Sequence, residues 1–104
     1  MNLETLREAV AQGKKRLRIT SHAQIEAFKD GLDLEDLRLV LETGRAIESY
    51  PERGRLLLFG RTSAAEVPVH IVVEEGGDEV VIVSSYVPDA REWIGYLRRR
   101  RKRL

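Results

Sequence analysis

The sequence predicts a single α+β domain in which helices pack on one face of a four-stranded antiparallel sheet. Three observations predict it. Residues 66–88 (EVPVHIVVEEGGDEVVIVSSYVP) place alternating apolar runs on both sides of a Gly-Gly turn, the pattern of a long β-hairpin. Four strand-like runs follow one another between residues 45 and 87 with short turns between them, which argues an antiparallel meander. Ahead of them, apolar residues recur at intervals of three and four, the helical period.

The elements follow in order. Asn2 is a good cap for a helix carrying Leu3, Leu6 and Val10, and Gly13 closes it, so residues 1–13 form an N-terminal helix. Residues 14–20 alternate at Leu17 and Ile19, which suits a short edge strand or an extended linker. The lysines and arginines at the other positions discourage edge-to-edge pairing. Ser21 and Gln24 have the spacing of a capping box for the second helix, with Ile25 and Phe28 as its apolar stripe and Gly31 as its stop. Asp33 caps the third helix, with Leu34, Leu37, Val40 and Leu41 toward the core and Gly44 as the stop.

From residue 45 the period changes. Residues 45–50 read as a strand with Ala46 and Ile47 buried, and residues 51–54 (PERG) as a turn. Residues 55–60 (RLLLFG) are a central strand, and 61–65 a polar loop. Residues 66–74 and 79–87 are the arms of the hairpin. Asp89 caps a last helix, with Trp93, Ile94 and Leu97 as its packing face.

Composition narrows the function classes. The 104 residues suffice for one modest core. No run approaches the roughly 18 apolar residues of a membrane span. The N-terminus has no basic-then-apolar leader pattern, so a cytoplasmic protein is expected, with no membrane partner. With no cysteine, disulfides, thiolate nucleophiles and cysteine-ligated zinc are excluded. The net charge of +1 hides an asymmetry: residues 98–103 (RRRRKR) hold six of the 18 basic side chains, leaving 12 to face 17 acids. Such a block is either a solvated tail or a phosphate-seeking arm made of Arg98, Arg99, Arg100, Arg101, Lys102 and Arg103.

Two histidines and a tyrosine carry the candidate chemistry. His22 lies in the first turn of its helix, where the helix dipole disfavours the imidazolium. It is either a neutral general base or a surface residue on a capping turn. His70 lies mid-strand opposite the face formed by Val67, Val69, Ile71 and Val73, so it is either a solvated sheet residue or part of a concave site. Tyr86 depends on hairpin register. A two-residue Gly76-Gly77 loop, which turn statistics favour, places it on the face opposite His70, and a three-residue loop ending at Asp78 places it on the same face. Ser84 and Ser85 lie on opposite faces, so one of them adjoins His70 in either register. The two histidines are 48 positions apart with no metal-ligand spacing, and there is no phosphate-binding glycine loop or serine-hydrolase elbow, so no metal or cofactor is expected. The acid pairs Glu35-Asp36 and Glu74-Glu75 read as structural.

An ordered set of motifs extends the reading. Ser21-His22-Ala23, Gly31-Leu32, Gly44, Ile47, Tyr50-Pro51, Gly60, Pro68-Val69-His70-Ile71-Val72, Ser85-Tyr86-Val87-Pro88 and Trp93 resemble, in order and spacing, the bacterial family called domain of unknown function 4258. The resemblance covers residues 16–93. That family looks like a relative of the RelE/ParE-type toxins, small ribonucleases with a helical hairpin followed by a four-stranded antiparallel sheet. What the resemblance implies is metal-independent RNA cleavage through attack of the ribose 2′-hydroxyl on its own phosphate. His22 and His70 would be acid and base, Tyr86 a donor or stacking surface, and Arg61 or Arg91 a phosphate holder. It also implies RNA or the ribosome as a target and an antitoxin-like protein as a partner. Where the family commonly has H-A-x-x-R-M this chain has Glu26, and it has Asp30 where arginine is common before the glycine, two reversals of sign near the implied site.

Two readings follow. The first is a toxin-like ribonuclease, which requires His22 and His70 to converge on a common pocket beside a cation. The second is a non-catalytic nucleic-acid- or protein-binding module, in which the histidines lie apart or are buried in separate hydrogen bonds. The oligomeric state stays open.

Overall fold

Helices and strands follow the predicted order as far as residue 86 in the computed structural model, which describes residues 1–100. The elements are α1 (Leu3–Ala11), β1 (Arg16–Ile19), α2 (Ser21–Lys29), α3 (Leu34–Thr43), β2 (Arg45–Tyr50), a 3₁₀ turn (Pro51–Arg53), β3 (Arg55–Arg61), β4 (Pro68–Glu75), β5 (Glu79–Tyr86) and two short strands, β6 (Trp93–Ile94) and β7 (Arg98–Arg99). The inner-face residues Leu56, Leu58, Val69, Ile71, Val73, Val80 and Ile82 form one buried cluster with Leu6, Ala23, Ala27, Leu37, Val40 and Leu41 from the helices.

The sheet has five strands, not four, in the order β1-β5-β4-β3-β2. The added strand is β1, which runs parallel to β5 with Leu17 opposite Val80 and Ile19 opposite Ile82. The predicted meander of β2 to β5 is present and antiparallel. Alternation at Leu17 and Ile19 makes 14–20 extended. Its partner lies some 60 residues away, and no local pattern announces a pairing at that distance.

α1 is fixed to the end of α3 by Arg7. Its guanidinium donates from Nε to the carbonyl of Leu41 at 2.7 Å and also donates to the carbonyl of Gly44, closing acceptors that the last turn leaves open. Gly44 has no room for a side chain: a Cβ there would stand 2.6 Å from the Val40 carbonyl oxygen and 2.7 Å from that of Phe59.

Four local expectations are corrected. The cap of α2 is Thr20, not Ser21; its Oγ1 accepts from the amide of Ala23 at 3.1 Å, while Gln24 reaches back to the Ile19 carbonyl. The Ile25/Phe28 stripe faces outward, with Ile25 56% and Phe28 65% exposed, and Ala23 and Ala27 are the buried residues. Only small side chains fit where α2 lies against β5. Third, Ala46 is exposed and Ile47 half-buried, because a bulge between Ala46 and Glu48 breaks the alternation of β2.

The fourth correction is the C-terminal helix, which is absent. Trp93–Ile94 folds back onto Arg98–Arg99 through a tight turn in which Gly95 (φ 59°) and Tyr96 (φ 64°) are both left-handed and the Leu97 amide donates to the Ile94 carbonyl. Two consecutive residues of that kind form a hairpin turn and cannot continue a helix. Asp89 accepts from the backbone of Arg91 and caps a turn instead.

Candidate functional site

The outer face of the sheet carries a row of directly opposed residues, Arg45, Phe59, His70 and Tyr86, one from each of β2 to β5. The register near the turn is that of a two-residue loop, Gly77-Asp78, with the Gly76 amide donating to the Glu79 carbonyl. Continued unbroken, it would set Tyr86 on the opposite face from His70. A bulge at Val83 shifts the ladder by one residue between Val72 and Val73, and Tyr86 comes round to stand across from His70.

His70 is fully buried. Its Nε2 lies 2.6 Å from the carbonyl oxygen of Tyr96. A carbonyl only accepts, so Nε2 carries the proton and Nδ1 is the acceptor, filled by the Tyr86 hydroxyl at 3.2 Å. Trp93 stands edge-on to the imidazole with centroids 4.4 Å apart, and Tyr86 and Phe59 close the other sides at 5.3 and 5.9 Å. Both ring nitrogens are spent. The histidine therefore bolts the β6–β7 hairpin, through Tyr96, onto the sheet.

Burial holds the His70 pKa below its ordinary 6.5, against the opposing pull of the Tyr96 carbonyl and Glu48, and Arg99 adds to the lowering. Burial likewise pushes the Tyr86 phenol up to about 12. Both groups are uncharged at neutral pH. For His70 the folded state disfavours the proton, so its contribution to stability is complete above 6.5 and is lost as pH falls below 6.5 through the folded value. Urea midpoints taken on either side of pH 6.5 are expected to drop on the acid side more in the wild type than in His70→Gln.

His22 is in a different place. It is exposed on α2, with Nε2 3.0 Å from Glu26 Oε1. The same oxygen accepts from the Ser84 hydroxyl at 2.8 Å and the Ser85 amide at 3.3 Å, and Asp30 accepts from the Val87 amide at 2.8 Å. β1 ends opposite Ile82, and among the described residues no strand pairs with the edge of β5 beyond it. Glu26 and Asp30, one helical turn apart, accept the amides that this leaves. The two reversals of sign are thus strand-edge caps. Glu26→Ala is expected to cost about 1–3 kcal/mol in a urea titration, because it strips the acceptor from a partly buried amide and hydroxyl.

Between α2 and the end of β5 lies a groove of about 260 Å³ lined by His22, Ile25, Glu26, Lys29, Asp30 and Tyr86. Tyr86 thus touches both histidines' surroundings, by hydrogen bond to His70 and as a wall of the groove that holds His22. Among the described residues the two histidines line no common pocket: His70 is fully buried behind the tyrosine.

The predicted cations separate into two groups. Arg61 lies over the rings of Phe59 and Tyr96 at 5.5 and 5.8 Å, and Arg99 over Trp93 at 4.6 Å. Arg99 also holds Glu48 at 3.0 Å and reaches the Tyr50 hydroxyl at 3.5 Å. Arg98 is exposed on β7, and Arg100 is exposed beside it, donating to the Ala90 carbonyl. These four surround the β6–β7 hairpin. Arg91 is instead paired with Asp89 at 2.7 Å. Arg101, Lys102 and Arg103 lie outside the described residues. Arg45, which the sequence reading missed, belongs to the same row as Phe59, and only the register of β2 reveals it.

Among the described residues no group of three or more His, Asp or Glu side chains gathers as metal ligands would, and no helix is long and apolar enough to cross a membrane. The family described as "Domain of unknown function (DUF4258)" matches residues 19–87, which is 69 of the 104 residues. The chain belongs to the DUF4258 family. No curated protein and no solved structure matches it. The DUF4258 match takes in His22, Glu26, His70 and Tyr86 and ends before the β6–β7 hairpin, so Trp93, Tyr96, Arg98 and Arg99 stand outside the matched residues.

Proposed function

We propose that this DUF4258 protein is a non-catalytic module that binds single-stranded RNA through the arginine-bearing outer face of its sheet. The observation that carries the reading is the stacking of Arg61 and Arg99 on Phe59, Tyr96 and Trp93, with Arg98 and Arg100 exposed alongside. A ring beneath a guanidinium fixes its plane. Arg99 gives Nε to Glu48 and one terminal nitrogen to Tyr50, and Arg61 gives one terminal nitrogen to the Glu66 carbonyl, so the remaining terminal N–H groups are the donors for phosphate oxygens. Guanidinium planes also give unstacked bases a surface to lie on. The chain continues from these residues into Arg101-Lys102-Arg103, so the basic run begins on this face. The sealing of His70 supports binding over cleavage, because the acid/base pair that a histidine mechanism requires lacks one accessible member.

The test is fluorescence anisotropy with a short labelled single strand of RNA in excess chelator, with the strand's length followed on a gel. The expected result is intact RNA bound with a steep salt dependence, unaffected by Arg91→Ala. A second reading, a ribonuclease acting through His22, is favoured by one observation: Glu26 is itself held by Ser84 and Ser85 and fixes the imidazole at the mouth of a groove that Tyr86 lines. Cleavage abolished by His22→Ala and retained in Arg61→Glu would replace the first reading by the second.

A further inference from the structure

Trp93 and Tyr96 of the β6–β7 hairpin cover the His70 end of the outer face, and Arg99 reaches across to Glu48 and Tyr50. At the other end, where β2 turns into β3, a pocket of about 360 Å³ is lined by Tyr50, Glu52, Arg53, Arg55 and Val72. Its volume falls within the range of small-ligand sites, roughly 300–1,000 Å³. We propose that this pocket seats one nucleotide unit of a bound single strand, with the base against the Tyr50 ring and the Val72 wall and the phosphate on Arg53. The inference rests on the RNA-binding reading above and extends it to a second, defined point of contact.

Four observations carry it. The Tyr50 hydroxyl donates to Glu48 and accepts from Arg99, so its polar end is spent and its orientation fixed. Arg53 has no ion pair among the described residues, whereas the neighbouring Arg55 is held by Glu74 at 3.1 Å. The turn that presents Arg53 is tied at both ends: Gly54 is left-handed (φ 62°), its amide donates to the Pro51 carbonyl, and its own carbonyl accepts from the Glu75 amide at 3.2 Å. Finally, the pocket is continuous with the arginine face. Arg99, stacked on Trp93, touches Tyr50, and Tyr50 forms the pocket wall. A strand laid along Arg61 and Arg99 therefore arrives at Tyr50, where an aromatic face meets a guanidinium with no ion pair among the described residues. Glu52, which also lines the pocket, disfavours a second phosphate and limits the site to a single unit.

The experiment has two arms. In the first, nitrogen-edited NMR spectra of the full chain are recorded with a nucleoside monophosphate, and the amides of Tyr50, Arg53 and Val72 are expected to shift. In the second, RNA affinity is measured for Arg53→Ala, Tyr50→Phe, Tyr50→Leu and Arg98→Ala. Arg53→Ala is expected to lower the salt slope by about 0.7. Tyr50→Leu is expected to weaken binding about tenfold, while Tyr50→Phe, which keeps the ring, retains it. Arg53 is exposed on a surface turn, so its variant reports on the pocket even where Tyr50→Leu loosens the hairpin. RNA binding that falls in Arg98→Ala but not in Arg53→Ala, with no mononucleotide shift, overturns the pocket and leaves the RNA-binding reading standing. Mononucleotide shifts at the pocket in a chain that binds no RNA retain a nucleotide site and overturn the RNA-binding reading.

Discussion

Replacing His70 by alanine is expected to lower the free energy of unfolding by about 3–5 kcal/mol, the cost of truncating a fully buried ring. Two effects add. The cavity forfeits the packing of Trp93, Tyr86 and Phe59 around the imidazole, and the Tyr96 carbonyl and the Tyr86 hydroxyl lose the partner that the fully buried imidazole gives them. His70→Phe separates them: it refills the volume and leaves the two polar groups unpaired, so about 1–3 kcal/mol of the loss is expected to remain. Urea titration measures both. The hairpin should also become the first site of proteolysis, since His70 is one of its polar anchors to the sheet, beside the Arg99–Glu48 pair. A catalytic histidine on an accessible surface would give the opposite pattern, lost activity with stability nearly unchanged.

Reversing two cations of the outer face, Arg61→Glu with Arg98→Glu, is expected to weaken RNA binding by about a hundredfold or more at physiological salt, and to leave the free energy of unfolding from urea titration within about 0.5 kcal/mol of wild type. Both side chains are exposed, and neither is tied to a carboxylate among the described residues, so little folded structure depends on them. The salt slope should fall by at least about 1.4, the effect of two lost phosphate contacts on a single strand. Anisotropy at three or more salt concentrations checks both numbers.

These expectations depend on features that the sequence displays unevenly. α1 and α3 are legible because their apolar residues keep the helical period, with Leu37, Val40 and Leu41 buried as their spacing requires, and β3 to β5 are legible because apolar runs are bounded by turn residues. The parallel β1–β5 pair is not legible, because alternation identifies a strand and says nothing of a partner 60 residues on. The His70–Tyr86 pair is hidden for a sharper reason. Turn chemistry fixes the register only up to the first irregularity, and the bulge at Val83 follows no turn residue or glycine that would announce it. Glu26 and Asp30 mislead by charge: beside a supposed phosphate site they look like losses of function, and beside the bare edge of β5 they are the acceptors that its amides need. At the C-terminus, Trp93, Ile94 and Leu97 have helical spacing, yet Gly95 and Tyr96 turn the chain back, and the signal available was Gly95 in the middle of the supposed helix.

The most direct measurement is a nitrogen-edited NMR titration of the wild-type chain with single-stranded RNA. Amide shifts concentrated in β3 around Phe59 and Arg61 and in the hairpin from Trp93 to Arg100 are the expected result. Shifts confined to α2 and its groove around His22, Glu26 and Lys29, with the outer face unmoved, would contradict binding through the arginine face.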